Sequence, residues 1–355
     1  MSRAPDLASP WTLGSLRVPN RVLLAPLAGI GNWFVRLQAK RYGAGMAVSE
    51  MVSSHALHFR NERTLVEMLR IHPSERAGGP VSIQLFGQDP SVMRSAAALV
   101  AVAGADAIDL NMGCPVPKVC RTGAGAALLS DPSLAVAVAR AAVEGAEVGA
   151  STVGAGVGAA RVGGIPITVK LRSGLRPGDT SGFELAHRLV EEAGVAAIAF
   201  HPRSASVQHK GVPDYELAAR LAASLPAPVI LTGGLRDAEA VRSAFDFTGV
   251  TAVMLARGCL GNPWLFERLL GDRLTEPTRE EVLAELDWVL ARAVEHLGAE
   301  RATRYLRKFY PWYLARLGLD REVLKSLQED LQSAPTLEHV RSLLGLSAPS
   351  ASLAA

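Results

Sequence analysis

Eight short apolar runs recur through this chain at regular intervals, and helical patterns separate them. The runs are RVLLAP at 21–26, GMAVSEM at 45–51, PVSIQLF at 80–86 and DAIDLNM at 106–112. They continue as PITVKLR at 166–172, VAAIAFHP at 195–202, PVILTGG at 228–234 and TAVMLAR at 251–257. Most are continuously apolar rather than alternating, which is the pattern of parallel strands covered on both faces. Between them DPSVMRSAAALVAVAG, DPSLAVAVARAAVEGA and SGFELAHRLVEEAG read as helices. The first two open on Asp-Pro-Ser and the first and third close on glycine, good start and stop signals. Eight β-then-α units predict an α/β fold of the (β/α)8 TIM-barrel type. A doubly wound open sheet is the competing architecture. It would want a Gly-rich dinucleotide fingerprint after the first strand, and APLAGIGNW lacks the spacing and the partner acid.

After residue 270 the texture changes. TEPTREEVLAELDWVLARAVEHLG, AERATRYLRKFYPWYLARLG and REVLKSLQEDLQSAPTLEHVRSLLG are amphipathic helices with no strand between them. The expected organisation is a barrel domain over 1–271, a small helical domain over 272–345 and a disordered tail over 346–355. The Gly/Ala-rich stretch 151–164 reads as a flexible insertion before the fifth strand.

With 49% hydrophobic and 20% charged residues the chain is globular. A net charge of +3 permits a nucleic-acid partner without requiring one. Three cysteines, Cys114, Cys120 and Cys259, cannot form a disulfide framework, and no C-x-x-C spacing suggests a metal. The start MSRAPDLASPWTLG has no signal-peptide core, and SLAVAVARAAVEGAEVGA is broken by Arg140, Glu144 and Glu147. A cytoplasmic monomer with no membrane segment and no metal is the expectation.

In such a barrel the active site lies at the C-terminal strand ends. Here those ends carry Ser49 and Glu50, Gln84, Asn111 with Cys114, Lys170 with Arg172, and His201 with Arg203. Polar groups at nearly every end, converging on one mouth, describe a ligand site. The last two ends, LTGGL and LARGCLGNPW, supply glycines and Arg257, which suit a phosphate held by backbone N–H groups. Lys170 sits mid-pattern among apolar neighbours, where a lysine is costly unless paired or used. Cys114 lies between Gly113 and Pro115, outside the regular strand, where a thiol is accessible rather than buried. Cys120 and Cys259 read as inert packing thiols.

LNMGCPVPKVCRTGAGAALLSDP resembles the signature of the tRNA-dihydrouridine synthases. So do APLAG, SEMV, QLFGQDP, ITVKLRSG, HPRSASVQHKGVPDY and RGCLGNPWLF, in the family's order over 24–266. The similarity is to the bacterial B-like subgroup and extends into RYLRKFYPWYLARLG. It implies an FMN enzyme that reduces uridine to 5,6-dihydrouridine in tRNA, in the D-loop, using NADPH. By the same resemblance Pro26, Leu27, Ala28, Gln84, Lys170 and His201 contact the flavin. Thr232, Gly233, Gly234, Ala256 and Arg257 hold its phosphate. Cys114 is the catalytic acid, and Asn111, Lys170, Arg172, His201 and Arg203 face the pyrimidine. The chain departs from the family in carrying Thr232-Gly233-Gly234 for Asn-Gly-Asp, Ala256 for Gly, and Phe309 for His. A dihydroorotate dehydrogenase-like barrel acting on a free pyrimidine is the alternative.

In the tail Arg301, Arg304, Arg307 and Lys308 fall at helical spacing and predict one basic face that meets tRNA phosphates. The interleaved Tyr305, Phe309, Trp312 and Tyr313 are expected to pack the helices instead.

Overall fold

The structure, a computed structural model, describes residues 6–154 and 164–346. Contacts divide the chain into two compact units. One runs to Gly258 and takes in Phe266–Asp272; the other holds Cys259–Leu265 and the chain from Arg273 onward.

The first unit begins with a small antiparallel hairpin, β1 (Trp11–Leu13) and β2 (Leu16–Val18). Eight parallel strands follow: β3 (Val22–Leu24), β4 (Met46–Ser53), β5 (Val81–Phe86) and β6 (Ala107–Met112). Then come β7 (Ile167–Arg172), β8 (Ala197–His201), β9 (Val229–Thr232) and β10 (Ala252–Leu255). They lie side by side in chain order, and β10 pairs with β3 to close the barrel. This is the TIM barrel the apolar runs predict. Each strand falls within its predicted run except β4, which extends two residues beyond it, to Ser53.

Side chains alternate across each strand. Leu23, Met46, Val48, Ala107, Ala197, Ala199, Ile230, Ala252 and Met254 share one buried cluster with Trp11, Leu13 and Val18 of the hairpin. Four of these nine strand positions are alanine. They leave room for the hairpin's bulky side chains, which close that end of the barrel. The Trp11 indole N–H donates to the Asn20 carbonyl at 3.0 Å and fixes the hairpin in place.

Helices cover the outer face. Asp89 caps Pro90–Val102 by accepting from Ser91 and Val92 N–H. Ser181–Ala193 ends on Gly194 in the left-handed conformation. The helix Pro132–Gly154 runs through the first four residues of the stretch expected to be a flexible insertion; residues 155–163 lie outside the described residues. Arg36 and Glu75 form a buried ion pair, with Nε–Oε1 2.8 Å and side chains only 1% and 0% exposed. Lys40 Nζ donates to the Glu75 carbonyl at 2.8 Å.

Among the described residues of the second unit the three expected helices are five: Arg279–Leu297, Ala299–Leu306, Tyr310–Leu314, Arg321–Ser333 and Leu337–Leu344. Pro311 cannot continue a preceding helix and starts a new one, and Pro335 separates the last two. Leu286, Val289, Leu290, Leu306, Tyr310 and Tyr313 are buried within it. Phe309 is buried as well, against Tyr305 and Trp312. The tail beyond Leu346 lies outside the described residues. Among the described residues no helix is long and apolar enough to cross a membrane.

Candidate active site

The inward alternation that buries alanines near the floor brings polar residues inward at the mouth. In β6 it runs Ala107, Asp109, Asn111; in β7 it runs Thr168, Lys170, Arg172. Register places Asp109 beside Thr168, Asn111 beside Lys170, and Arg172 beside His201.

Asn111 organises the loop that carries Cys114. Its Oδ1 accepts from the Cys114 N–H at 2.9 Å and the Gly113 N–H at 3.3 Å. Cys114 is half-buried, as its position outside the strand predicts. Cys120 is equally half-buried rather than packed away, and its Sγ donates to the Cys114 carbonyl at 3.2 Å. Cys259 is buried, which pushes its thiol up to about 12. Gln84 is buried, and its Oε1 accepts from Asn111 Nδ2 at 3.0 Å.

Lys170 is half-buried, and its ammonium has no hydrogen-bonded partner among the described residues. Burial pushes it below the ordinary ammonium range, and burial pushes the Asp109 carboxyl above its own; each charge partly offsets the other's shift. A cation kept unpaired at a half-buried mouth is placed to meet a polar or anionic ligand.

Arg172 lies at the end of β7. Expected to face substrate, it is 4% exposed, and its guanidinium donates to the carbonyls of Gly113 (2.9 Å), Ser204 (3.2 Å) and Gln208 (2.8 Å). It braces the cysteine turn against the loop after β8. Gly113 packs tightly here: a Cβ would lie 3.2 Å from the Leu171 carbonyl carbon. His201 is buried, and burial with the surrounding cations holds it far below the usual imidazole range, so it is neutral. Arg203 Nη1 meets its Nε2 at 3.2 Å, which makes that nitrogen the acceptor.

The ends of β9 and β10 form a cradle. Gly233 and Gly234 both have positive φ, +98° and +83°. A Cβ on Gly233 would lie 2.4 Å from the His201 ring, and one on Gly234 2.3 Å from the Tyr215 hydroxyl. Side chains are thereby excluded from this turn, and the Tyr215 hydroxyl donates to the Gly233 carbonyl at 3.1 Å. Cations gather around it: Arg236 and Arg257 act on Arg203, and Arg257, Arg172, Arg203 and Lys170 act on His209. Arg203 Nε is buried without a hydrogen-bond partner among the described residues. Arg203, Gly234 and Arg236 share one open groove of about 900 Å³. Thr232 is buried, Ala256 is half-buried and Arg257 is exposed. A side-chain-free turn amid excess positive charge suits a phosphate.

Next to this cradle, at the end of β3, which pairs with β10, Pro26 is half-buried, Leu27 buried and Ala28 exposed. Glu50 Oε2 accepts from the Gly29 N–H at 2.9 Å, and Glu50 N–H donates to the Gly31 carbonyl at 3.0 Å, which holds that segment over the mouth. A register shift between Val48 and Met51 bends β4 there.

Asp109, Thr168, Tyr215 and Arg236 escaped the sequence reading. The signal for the first two was present: each lies two residues before a polar mouth residue, so alternation places it on the same inner face.

In the helical unit the four predicted basic residues do not share a helix face. The helix ends at Leu306, so Arg307 and Lys308 lie beyond it. Arg304, Arg307 and Lys308 gather with Tyr305, Pro311 and Gln332 around a groove of about 400 Å³; Arg301 is exposed outside it. Lys308 Nζ sits 3.8 Å from the Tyr305 ring centre, a cation–π contact, and Arg304 pairs with Glu300 at 3.0 Å.

A dihydrouridine synthase (Dus) family model matches residues 23–341. The tRNA-dihydrouridine synthase B of Pseudomonas aeruginosa is 34% identical, over 87% of this chain and 88% of its own. That of Shewanella oneidensis is 30% identical, over 94% of this chain and 96% of its own. Among solved structures, morphinone reductase in complex with tetrahydroNAD superposes with a TM-score of 0.51 at 18% identity, over 78% of this chain and 94% of its own. That likeness bears on the fold alone. Matched over most of its length, and carrying a cysteine turn and a cation-rich cradle at the barrel mouth, the chain belongs to the dihydrouridine synthase family.

Proposed function

We propose that this protein reduces uridine to 5,6-dihydrouridine in the D-loop of tRNA, with FMN as resident cofactor and NADPH as reductant. Its curated relatives bear the name tRNA-dihydrouridine synthase B. The residues fit a flavin mononucleotide: a side-chain-free cradle amid arginines suits the phosphate, and an unpaired Lys170 suits the polar edge of the ring. Gly233, Gly234, Thr232, Ala256 and Arg257 would hold the phosphate, while Pro26, Leu27, Ala28, Gln84, Lys170 and His201 would line the ring.

When bound, the flavin supplies hydride to C6 of the uracil. The chain's own residues do the rest. Lys170 places positive charge where the uracil carbonyl oxygens gain negative charge. Cys114 supplies the proton at C5 as general acid, and its backbone N–H is tethered to Asn111 at the end of β6. Arg172 holds the Gly113 carbonyl and keeps that turn rigid. The base must leave its stack to reach this depth, and unstacking costs a few kcal/mol, ~2–4, recovered from contacts in the pocket and along the RNA. Arg301, Arg304, Arg307 and Lys308 would contribute phosphate contacts. The two domains would be the barrel over 1–271 and the helical domain over 272–345, acting as a monomer.

The half-exposed Cys114 at the end of β6, amide-tethered beside an unpaired lysine, is the observation that carries this reading. The test is Cys114→Ala, with tRNA dihydrouridine read by mass spectrometry. Turnover should fall by at least a thousandfold while the protein keeps its yellow colour. Full activity in that variant refutes the acid role, and reduction of free uracil or orotate without RNA refutes the tRNA substrate.

A further inference from the structure

Asp109 is a buried carboxylate to which the reaction above gives no task. It ends a single hydrogen-bonded chain. Its Oδ1 accepts from the Thr168 hydroxyl at 2.5 Å, and its Oδ2 accepts from Gln84 Nε2 at 2.6 Å. Gln84 Oε1 accepts from Asn111 Nδ2 at 3.0 Å, and Asn111 Oδ1 accepts from the Cys114 N–H at 2.9 Å. Asp109, Gln84 and Thr168 are 0%, 1% and 3% exposed, so water does not substitute for a lost partner.

The chain has a direction. A primary amide donates on one side and accepts on the other, so each amide passes on the polarity it receives. An ionised carboxylate only accepts, and a backbone N–H only donates. These two ends therefore fix both amides between them. Reversing either one sets donor against donor at Cys114 or acceptor against acceptor at Asp109. We infer that Asp109 is the positioning residue for Cys114: its acceptor-only carboxylate orients Gln84, hence Asn111, hence the loop that presents the thiol. The Met51 sulfur, 3.7 Å from Asn111 Nδ2, accepts weakly from the same side and agrees with that orientation.

The inference rests on the role proposed for Cys114, and its test separates the two. In Asp109→Asn one of two faults must follow. With its oxygen toward Gln84 the new amide leaves the Thr168 hydroxyl accepting from its Nδ2 and without an acceptor of its own. With its Nδ2 toward Gln84 the amides turn over and Asn111 sets its Nδ2 against the Cys114 N–H. This second orientation, open only to the variant, is what the labelling of Cys114 reads. Moving the carboxylate one step along, in the double variant Asp109→Asn with Gln84→Glu, repairs both faults. The relocated carboxylate then accepts from the new amide on one side and from Asn111 on the other, and the oxygen of the new amide still accepts from Thr168.

The assay uses the purified holoenzyme. Iodoacetamide labelling, resolved by mass spectrometry, gives the rate at Cys114 relative to Cys120. Rapid mixing gives flavin reduction by NADPH and reoxidation by tRNA separately. In Asp109→Asn the labelling ratio should change at least threefold, and reoxidation should slow at least tenfold while flavin reduction stays within threefold. The double variant should return the labelling ratio to within twofold of wild type. An unchanged ratio in the single variant, equal loss in both half-reactions, or no recovery in the double overturns the inference. Should that double variant not fold, Asp109→Asn with Asn111→Asp also satisfies every partner and must restore the ratio. A wild-type protein inactive on tRNA would sink the proposed function and leave the labelling result to decide the positioning role.

Discussion

Gly233→Ala tests the cradle at the end of β9 most directly. At φ +98° an L side chain is strained by about 1–3 kcal/mol. The new Cβ would also lie 2.4 Å from Cδ2 and Nε2 of His201, far inside contact distance. His201 is 5% exposed and held by Arg203 at 3.2 Å, so the ring can escape only by losing that bond and leaving its rotamer. Those two losses add roughly 1–3 kcal/mol. A total of about 2–6 kcal/mol at ~2–4 °C per kcal/mol predicts a Tm lower by at least ~4 °C. Flavin content per mole of protein should fall in parallel, because both His201 and the turn line the proposed cofactor site. Gly194→Ala is the control: its φ is +71°, with nothing within 4 Å of an added Cβ, so it carries backbone strain alone. Scanning calorimetry and the visible flavin spectrum of the two variants give the comparison. If Gly233→Ala matches Gly194→Ala in both, the close approach of His201 to this turn is wrong.

Arg36→Met leaves the buried Glu75 carboxylate without its ion partner, and thermal unfolding should show a loss of about 3–5 kcal/mol with the active-site spectrum unchanged in surviving folded protein. Lys170 loses its charge at lower pH than an ordinary lysine because burial depresses it, so affinity for an anionic ring should weaken as pH rises into the mildly alkaline range. Lys170→Arg should move that fall to higher pH in a flavin-binding titration; a shared profile argues against the contact. Replacing Arg307 and Lys308 together by alanine should raise KM for tRNA at least tenfold with kcat nearly constant, and lower the slope of log affinity against log salt by about 1–2.

The barrel was legible because most strands are apolar on both faces, and continuous runs such as VAAIAF stand out at any register. The hairpin was not: three-residue strands carry too little pattern, and the Gly14-Ser15 between them resembles any turn. Cys114, Asn111 and Lys170 were legible from their position at strand ends. The role of Arg172 was not, since its partners Gly113, Ser204 and Gln208 come from two separate loops that only the closed barrel brings together. The basic residues were grouped by helical spacing, which the helix carries only to Leu306; Arg304, Arg307 and Lys308 meet around one groove by way of the turn before the helix at Pro311.

The hairpin at the foot of the barrel also sets an order in time. It is synthesised before any barrel strand, yet Ala252 and Met254, which help to cover Trp11 and Leu13, belong to the last strand. The seam that shuts the barrel joins residue 22 to residue 253. The first piece made is therefore among the last to be covered. A nascent chain that stalls before β10 offers an apolar hairpin and two open strand edges at once, the surfaces on which aggregation starts and chaperones act. Closure at so long a sequence separation makes slow folding the expected cost of this floor.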